Sequence, residues 1–413
     1  MLWWCCAAPR AEPPEACSER DNLFSKPREE SEAAPLAAEQ AADDAESTTA
    51  AMSTEDAIRG PKKPALRFEQ HEALVELRSL AQPEPFGQVW TVHEELGRGA
   101  FAIVRRATRN GLVRRGSFRA KHDGACSAAV KCFGPSSTLG AGASAELSPS
   151  LAADLALEVS ILRSLTCPEH GDERCDAVVH MLGFYVSEDG ARGELSCQLV
   201  MDLVGGGELF DRLLLRSHYT EANARALFAR VLDAMRFCHE NLIVHRDLKP
   251  ENLLLKSRDD DEDVAVGDFG GAARLARPGA LIEDSVVGTP GFMAPEMIKG
   301  EPHGEPVDLW ACGCILFILL VGEAPFTGNG SKTRRAKYAF APALKWASIS
   351  DDAKDLVTKL LVAEPAKRLT ARAALRHPWF LLNADHSLLA RNLDHTIGAS
   401  RSSFLARCVG ARR

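Results

Sequence analysis

An acid, a lysine and an amide lie at fixed offsets within one short polar segment of the chain. Residues 245–252 read His-Arg-Asp-Leu-Lys-Pro-Glu-Asn and are flanked on each side by three apolar residues. This flanking pattern indicates two short buried strands that hold a polar loop between them. Asp247 can accept a proton from a hydroxyl, Lys249 can face a transferring phosphoryl group, and Asn252 can bind a hard cation through its oxygen. The segment is therefore a candidate catalytic loop.

A second lysine and a second acid lie in segments whose apolar patterns indicate a strand and a helix. Residues 128–133 read as a buried strand that carries Lys131, and a buried lysine is costly unless it is paired. Ser148 and Pro149 are typical of a helix start, and Glu158 lies beside the apolar face of the helix that would follow. Glu158 could pair with Lys131 or be an ordinary exposed acid, and the helix pattern alone favours neither.

Two glycine-containing segments are suited to binding phosphates and cations. In residues 97–102, Gly-Arg-Gly-Ala-Phe-Ala, the paired glycines would let backbone amides approach a phosphate closely. This signal is weak by itself, and Ala102 replaces the third glycine of the G-x-G-x-x-G pattern. Alanine is nevertheless small enough to keep the loop close to a phosphate. Further along the chain, Asp268 follows a short strand, 264–267, and begins the sequence Asp-Phe-Gly.

Together these features supply the parts of phosphoryl transfer, a reaction that depends mainly on positioning and charge stabilisation. We expect the glycine loop to cover the phosphates of a nucleotide. Lys131 would hold those phosphates, and Glu158 would hold Lys131. Asp268 and Asn252 are the expected Mg²⁺ ligands, and Asp247 would orient and deprotonate the acceptor hydroxyl.

Residues 90–380 resemble a eukaryotic protein kinase domain, and they are most similar to the calcium/calmodulin-dependent protein kinase group. The resemblance implies a two-lobed α+β fold, with an antiparallel sheet and one main helix in the N-lobe and a mostly helical C-lobe. It also implies ATP and Mg²⁺ as cofactors and proteins with Ser or Thr as substrates. The matching segments are residues 96–101, 206–210 (Gly-Gly-Glu-Leu-Phe), 245–252, 268–270, 288–296 (Gly-Thr-Pro-Gly-Phe-Met-Ala-Pro-Glu), 353–357 and 377–379.

The same resemblance assigns residues to the nucleotide and to the protein substrate. Thr289 would contact Asp247 and Lys249 near the acceptor, and Lys249 in its Leu-Lys-Pro-Glu-Asn context resembles the serine/threonine branch. Glu208 and Glu251 would bind a basic residue upstream of the target Ser or Thr. The residues implied around the nucleotide are Leu96, Val104, Ala129 and Leu254 on the adenine faces, Met201 at the back pocket, Asp202 and Val204 at the edge of the base, and Gly97 and Gly99 at the phosphates.

The family pattern also implies contacts that support and regulate the catalytic loop. Glu296 and Arg368 would form a buried ion pair, and Asp308 would anchor the backbone of the loop. Arg246 would pair with a phosphate on the activation loop, for which Ser285 is a plausible position. We therefore hypothesise that phosphate on Ser285 raises activity.

The two ends of the chain differ in composition from its middle. Residues 1–60 contain 13 Asp or Glu against 5 Lys or Arg, which accounts for the whole net charge of -8. Residues 1–85 form an acidic Ala/Glu/Pro-rich extension with few large apolar side chains, so we expect them to be mostly disordered. Residues 381–413 form a basic tail, and residues 386–413 could bind calmodulin or remain poorly ordered.

Three further segments have patterns that predict local structure. Residues 65–80 show a weak amphipathic pattern, which indicates either a short docked helix or nothing stable. Leu309–Val321 is the longest apolar run, and it predicts a buried core helix because a membrane span needs roughly 20 such residues. Residues 327–345 are shorter than the family pattern and contain two glycines, so we expect the helix there to be short or missing.

Cysteine spacing and charge suggest a cellular setting. The 12 cysteines show no regular spacing, which favours a reducing, intracellular and cytoplasmic location over a disulfide framework. Cys5 and Cys6 lie beside two tryptophans, so attachment to a membrane surface remains an alternative. The neutral body of the chain gives no indication of nucleic-acid binding.

Two alternative functions belong to other classes. A pseudokinase scaffold would bind partners without catalysis, and a small-metabolite kinase would use a related fold. The segment around Thr289 and residues 294–296 disfavour the metabolite kinase, because they would shape a groove for a peptide. No replacement of a catalytic residue supports the pseudokinase. The key positions are filled by Lys131, Glu158, Asp247, Asn252 and Asp268.

Overall fold

The computed structural model describes most residues between Leu66 and Leu381, and the described residues from Glu69 onward belong to one compact unit. The predictions for residues 1–65, for Ser285 and for most of the tail lie outside the described residues. The described ranges are 66–99, 101–111, 127–134, 147–168, 174–189, 194–215, 219–283, 287–326, 331–341, 343–381 and 392–393.

Among the described residues, two helices precede strand β1 (Trp90–Arg98). Helix α1 (Leu66–Leu80) confirms the helical alternative for the weakly amphipathic segment, and helix α2 (Phe86–Val89) is a single turn. Leu77 of α1 is buried in the main apolar core. The Leu80 carbonyl at the end of α1 accepts a hydrogen bond from the Arg163 guanidinium, so α1 is tied to the helix that carries Glu158.

A five-stranded antiparallel sheet forms the N-lobe, in the order β1-β2-β3-β5-β4. Side chains alternate between the faces of the third strand, so Ala129 lies in the main core whereas Val130 and Cys132 lie in a second apolar cluster. The same alternation turns Lys131 toward the face of Ala129. The strands are β1 (Trp90–Arg98), β2 (Ala102–Arg109), β3 (Ser127–Phe133), β4 (Met181–Asp189) and β5 (Glu194–Asp202).

Helix α3 (Pro149–Thr166) packs against strand β4 and carries Glu158. Ser148 caps the helix, because its side chain accepts a hydrogen bond from the Leu151 amide, and Pro149 occupies the first turn. The predicted helix start is therefore confirmed. The apolar face is buried through Leu155, Val159 and Leu162.

Helices form most of the C-lobe. Helix α5 (Glu221–Glu240) begins with a capping box between Thr220 and Asn223. Helix α7 (Pro306–Val321) is buried along nearly its whole length, which confirms the predicted core helix. Within the described ranges, no helix is both long and apolar enough to cross a membrane. The shorter helices are α4 (Leu209–Leu215), α6 (Pro295–Lys299), α8 (Ser331–Arg334), α9 (Ala343–Ala347), α10 (Asp351–Leu360), α11 (Ala371–Ala374) and α12 (Pro378–Leu381), with 3₁₀ turns at Pro250–Asn252 and Pro365–Lys367.

Aromatic packing attaches the segment after α7 to the C-lobe. The described part of residues 327–345 contains the four-residue helix α8, as expected for a shortened segment. The Phe340 and Trp346 rings lie 4.5 Å apart, and the Trp346 and Phe317 rings lie 4.8 Å apart. Since Phe317 belongs to α7, these contacts hold the segment without a long helix.

Short strands hold the polar loops of the C-lobe. The segment 245–252 leaves one short buried strand and enters another, which confirms the predicted pair of strands around it. One sheet has the order β10-β9-β6, while β8 pairs with β11 and β7 with β12. These strands are β6 (Gly207–Glu208), β7 (Tyr219–Thr220), β8 (Ile243–Val244), β9 (Leu253–Leu255), β10 (Val264–Val266), β11 (Ala273–Arg274) and β12 (Asn392–Leu393).

Candidate active site

A buried carboxylate in the first turn of α7 anchors the catalytic loop. Asp308 accepts hydrogen bonds from the His245 amide at 2.9 Å, the Arg246 amide at 2.8 Å and the His239 ring at 2.8 Å. Burial alone would raise the pKa of Asp308, but the hydrogen bond and charge of His239, with the charge of His245, lower it below its usual value. The implied anchoring contact is present. It helps to hold Arg246 at a φ of 64°, a conformation that is strained for a non-glycine residue.

Three side chains form a connected group at the centre of the loop. Lys249 Nζ donates to Asp247 Oδ2 at 2.7 Å and to Thr289 Oγ1 at 2.9 Å. Thr289 Oγ1 donates to Asp247 Oδ1 at 2.6 Å. Each carboxylate oxygen of Asp247 therefore has a short hydrogen bond, and the group can be oriented toward a hydroxyl proton. The implied contacts of Thr289 with both residues are present.

A lysine of the N-lobe sheet is paired with the acid of α3. Lys131 Nζ lies 2.7 and 2.9 Å from the two carboxylate oxygens of Glu158, and both side chains are almost fully buried. Burial raises the pKa of Glu158, and the charge of Lys131 opposes that effect. Lys131 Nζ is also 3.6 Å from Asp268 Oδ1. The structure thus resolves the open choice for Glu158 in favour of pairing.

Asn252 and Asp268 offer oxygen atoms to a cation. Asn252 Nδ2 donates a hydrogen bond to the Asp247 carbonyl at 2.9 Å. This contact directs Asn252 Oδ1 away from the Asp247 carbonyl. Asn252 Oδ1 is buried and accepts no hydrogen bond within the described part of the chain. A buried amide oxygen without a donor is costly, and a divalent cation would satisfy it together with a carboxylate oxygen. The two residues therefore fit a hard metal ion.

The Asp-Phe-Gly segment is held by contacts with the catalytic loop. Asp268 has a φ of 58°, so its backbone adopts the left-handed conformation that non-glycine residues rarely use. Phe269 is fully buried, and its ring centroid lies 5.0 Å from that of His245. His245 Nε2 is 3.1 Å from the Gly267 carbonyl. These contacts on both sides of Asp268 hold its carboxylate near Lys131.

The two lysines and the carboxylates of Asp247 and Asp268 line one cavity of about 320 Å³. Its walls come from α3, the glycine loop, the catalytic loop, the Asp-Phe-Gly segment and the Thr289 segment. Phe101 of the glycine loop is 45% exposed and lines the same space. The chemically relevant side chains on the walls are Lys131, Asp154, Glu158, Asp247, Lys249, Asp268 and Thr289.

Apolar side chains form a second, smaller cavity beside Lys131 and Asp268. Of the residues implied around the nucleotide, four line it: Val104, Met201, Asp202 and Leu254. Ala129 and Val204 are buried in the adjoining core, and Leu96 is half-buried against it. Gly97 pairs with Val104 across strands β1 and β2, while the Gly99 amide donates to the Ala102 carbonyl.

Glu208 and Glu251 lie below the surface. Glu208 is 3% exposed and Glu251 is 6% exposed, and both make contacts within the protein. A basic side chain of a substrate would therefore have to reach past the surface to bind them. This burial is not evident from the sequence, because an acid beside a glycine run or in a polar loop is as often exposed as buried.

Two other implied contacts concern the support of the site. Arg368 forms a two-pronged ion pair with Glu296, at 2.9 and 3.2 Å, and both side chains are buried. Arg246 Nε donates to the Gly271 carbonyl at 2.8 Å. Ser285, the implied phosphate position, lies outside the described residues.

Val179 and His239 contribute to the site, and sequence patterns did not identify them. Val179 lines the smaller cavity, and His239 of α5 donates to Asp308. Val179 is one apolar residue among many. His239 is 69 positions from its partner. Neither residue has a local signal that would distinguish it from its neighbours.

Comparison with known proteins agrees with this geometry. Residues 90–380 match the family model described as protein kinase domain. Over 299 residues the chain is 36% identical to calcium/calmodulin-dependent protein kinase type II subunit delta of Oryctolagus cuniculus. That similarity covers 71% of this chain and 49% of the relative, so the chain spans about half the length of the curated relative it matches.

The matched residues begin with strand β1 and end in helix α12, so they include both lobes of the described fold. The predicted two-lobed α+β fold is confirmed. The family implies ATP and a divalent metal as cofactors. The chain belongs to the protein kinase family, in the calcium/calmodulin-dependent group of serine/threonine kinases.

Proposed function

We propose that this chain transfers the γ-phosphoryl group of ATP to Ser or Thr residues of proteins. One observation carries the proposal: Lys131, Asp247, Lys249 and Asp268 converge on a single cavity. The Lys131–Glu158 pair and the Lys249–Asp247 hydrogen bond supply a fixed cation at each of two positions around it. Fixed charges of this kind suit a reaction in which negative charge moves between two oxygen atoms.

The nucleotide site is proposed to use both lobes. Lys131 would bind nucleotide phosphates, and its pairing with Glu158 keeps its ammonium group in position. Gly97 and Gly99 would bring backbone amides over the phosphates. The proposed adenine site consists of Leu96, Val104, Ala129 and Leu254 on the faces, Met201 behind, and the backbone of Asp202 and Val204 at the edge.

We propose Mg²⁺ as the divalent ion, with Asn252 and Asp268 as its protein ligands. Asn252 Oδ1, which accepts no hydrogen bond from the described residues, and the carboxylate of Asp268 are hard oxygen ligands of the kind that Mg²⁺ prefers. Asn252 and Asp268 would hold the ion where it could offset negative charge on the nucleotide phosphates. Asn252 also orients the Asp247 carbonyl through its Nδ2, so one residue would couple the metal site to the catalytic loop.

Asp247 is proposed to orient the acceptor hydroxyl and take its proton. Thr289 and Lys249 each bond one of its carboxylate oxygens, which restricts rotation of the group. Lys249 would also stabilise charge on the transferred phosphoryl group. The pseudokinase alternative is not favoured by any residue of this group, since an acid, a cation and metal ligands are all present.

The proposal extends to a basic substrate residue, to calmodulin and to the cellular setting. Glu208 and Glu251 would bind a basic residue upstream of the acceptor, replacing contacts that they now make within the protein. Residues 386–413 would bind calmodulin. A reducing intracellular and cytoplasmic location is supported by the described cysteines, all of which are free thiols.

Regulation by phosphate is proposed at Ser285. Arg246 would pair with that phosphate, and its Nε contact with Gly271 ties it to the segment that follows Asp268. Glu283 and Asp284 are close to Ser285 in sequence and would partly substitute for a phosphate. In a phosphorylated preparation, Ser285→Ala is expected to lower activity, and equal activities would refute the proposal.

The function is tested with full-length protein, Mg²⁺-ATP and a basic Ser/Thr peptide. Wild type should phosphorylate the peptide, and Asp268→Asn should lose at least about a hundredfold in kcat because a charged metal ligand becomes neutral. Asp259→Asn, on an exposed turn, is the matched control and should behave as wild type. Equal peptide phosphorylation by wild type and Asp268→Asn would refute the proposal, and peptide phosphorylation by neither protein would favour the scaffold.

A further inference from the structure

Among the described residues, one carboxylate on the wall of the main cavity has no partner. Asp154 of α3 lies one helical turn before Glu158, so both side chains are on the same side of the helix. It lines the cavity together with Asp247, Lys249 and Thr289. Within the described part of the chain, its carboxylate makes neither a hydrogen bond nor an ion pair.

The other carboxylates of this cavity are already engaged. Glu158 is paired with Lys131, and Asp247 is bonded by Lys249 and Thr289. Asp268 lies 3.6 Å from Lys131 Nζ, and it is also a proposed metal ligand. Asp154 is therefore the carboxylate on the described walls whose charge no cation balances.

That charge is unfavourable for the proposed reaction. Among the described residues, the walls carry four carboxylates and two lysines, and a nucleotide would add further negative charge. Charges in a partly enclosed site interact more strongly than charges in open water. Asp154 is exposed at the cavity, and the part of its surface that neighbouring groups cover raises the pKa of its carboxyl group. A cation beside Asp154 would relieve both effects.

The missing cation is best supplied by the protein substrate. Both lysines on the described walls are occupied, Lys131 by Glu158 and Lys249 by Asp247. The half-exposed ring of Phe101 lies on the same cavity, and an aromatic face stacks well on a guanidinium group. An arginine is thus better suited than a small ion to the space in front of Asp154.

We propose that Asp154 determines substrate specificity by binding an arginine or lysine side chain of the protein substrate. This subsite lies on α3 and the glycine loop, and it is separate from the buried acids Glu208 and Glu251. The inference rests on the proposed kinase function and names a second basic position in its substrate.

The test uses full-length protein and a panel of Ser peptides that are uncharged apart from one movable residue. That residue is arginine, glutamate or alanine, and it occupies each position on both sides of the acceptor in turn. At one position, wild type should prefer arginine over alanine. At that same position, Asp154→Asn should reduce the preference for arginine about fivefold, as expected for one partly exposed ion pair. Asp154→Lys should prefer glutamate at the same position.

The matched control is Glu364→Gln, which removes an exposed carboxylate from a surface ion pair with Lys367. It should retain the wild-type preference at every position. If Asp154→Asn and Asp154→Lys also retain that preference, the subsite is refuted while the kinase function stands.

A second readout separates the two proposals if wild type phosphorylates no peptide. Equilibrium binding of the fluorescently labelled arginine peptides is then compared between wild type and Asp154→Asn. About fivefold weaker binding to Asp154→Asn at one arginine position would support the subsite although the proposed transfer had failed. Equal binding at every position would overturn the subsite as well.

Discussion

Asp247 has one strong hydrogen bond on each carboxylate oxygen, and this double restraint defines the site at the scale of single residues. Thr289 and Lys249 approach from different segments, 42 and 2 positions away along the chain. They also bond each other, so a change in one contact affects the other two. The orientation of Asp247 therefore depends on a residue that does not belong to its own loop.

Replacing Thr289 with valine should lower kcat by about tenfold to a hundredfold. Valine keeps the shape of threonine but cannot donate to Asp247, and hydrogen bonds to charged groups contribute about 1.5–3 kcal/mol. Steady-state kinetics with a Ser peptide measure the effect. Thr289→Ser retains the hydroxyl and should recover most of the activity. A valine variant as active as the serine variant would contradict the proposed role.

At the scale of elements, a helix start and a catalytic loop depend on each other through Asp308. The carboxylate lies in the first turn of α7, where the helix dipole favours a negative charge. The carboxylate also accepts hydrogen bonds from the His245 and Arg246 amides, so two consecutive residues of the loop are bonded to the helix. Because the group is 1% exposed, water cannot replace these hydrogen bonds.

Asp308→Asn should lower the free energy of unfolding by about 3–5 kcal/mol near neutral pH, since a buried charged acceptor is lost. The folded-state pKa of Asp308 is lowered from 3.8, so its stabilising effect is complete above that pH. The effect is lost as the pH falls through the lower folded-state pKa. Urea unfolding of both proteins across acidic and neutral pH should thus show converging stabilities in acid. A difference that is the same at every pH would contradict this explanation.

Helix α1 is a second element connected to α3, the helix that carries Glu158. Leu77 is 1% exposed, and the Arg163 guanidinium binds the last carbonyl of α1. A cation at the C-terminal end of a helix is favourable. The Gln82 amide, just after α1, also donates to the Phe184 carbonyl of β4 at 2.7 Å.

Leu77→Asp should release α1 from the N-lobe. Replacing a buried leucine with a buried unpaired charge should reduce the free energy of docking α1 by about 3 kcal/mol or more. Hydrogen exchange of residues 72–80 should become much faster. Val75→Asp is the control on the same helix, since Val75 is 53% exposed and such surface changes cost about 0.5 kcal/mol or less. Similar exchange rates in the two variants would show that α1 is not held by Leu77.

At the scale of the whole molecule, a few buried polar contacts join segments that are distant in sequence. The Glu221 carboxylate at the start of α5 accepts from the Ser350 amide at 3.0 Å and from the Trp379 indole at 2.7 Å. Arg368 joins Glu296 to the Val362 and Pro306 carbonyls. These contacts span 62 to 158 positions, apart from the local Arg368–Val362 bond, so they connect the helices of the C-lobe.

Arg368→Lys should destabilise the protein by about 3 kcal/mol or more, because a lysine cannot make the two-pronged bond and the carbonyl contacts together. Thermal and urea unfolding measure the loss. Arg372→Lys is the matched control, since Arg372 pairs with Glu240 at the exposed surface and such pairs contribute about 1 kcal/mol or less. If both variants lost the same free energy of unfolding, the burial of Arg368 would not explain how much Arg368 stabilises the protein.

The sequence by itself determined the local elements and the chemical types of the site. The catalytic loop between two short strands, the buried helix α7 and the capped start of α3 all follow from patterns within about 20 residues, because backbone geometry and side-chain spacing are local properties. The order of the motifs was sufficient to predict the family and the two lobes.

Only the tertiary structure decided which groups meet. Glu158 was equally compatible with an exposed position, and its pairing with Lys131 depends on how α3 packs against the sheet. The burial of Glu208 and Glu251 and the exposure of Asp154 on the cavity wall have no local signal. The physical reason is that burial and pairing depend on the three-dimensional proximity of segments far apart in the chain, whereas a sequence pattern reports only a residue and its near neighbours.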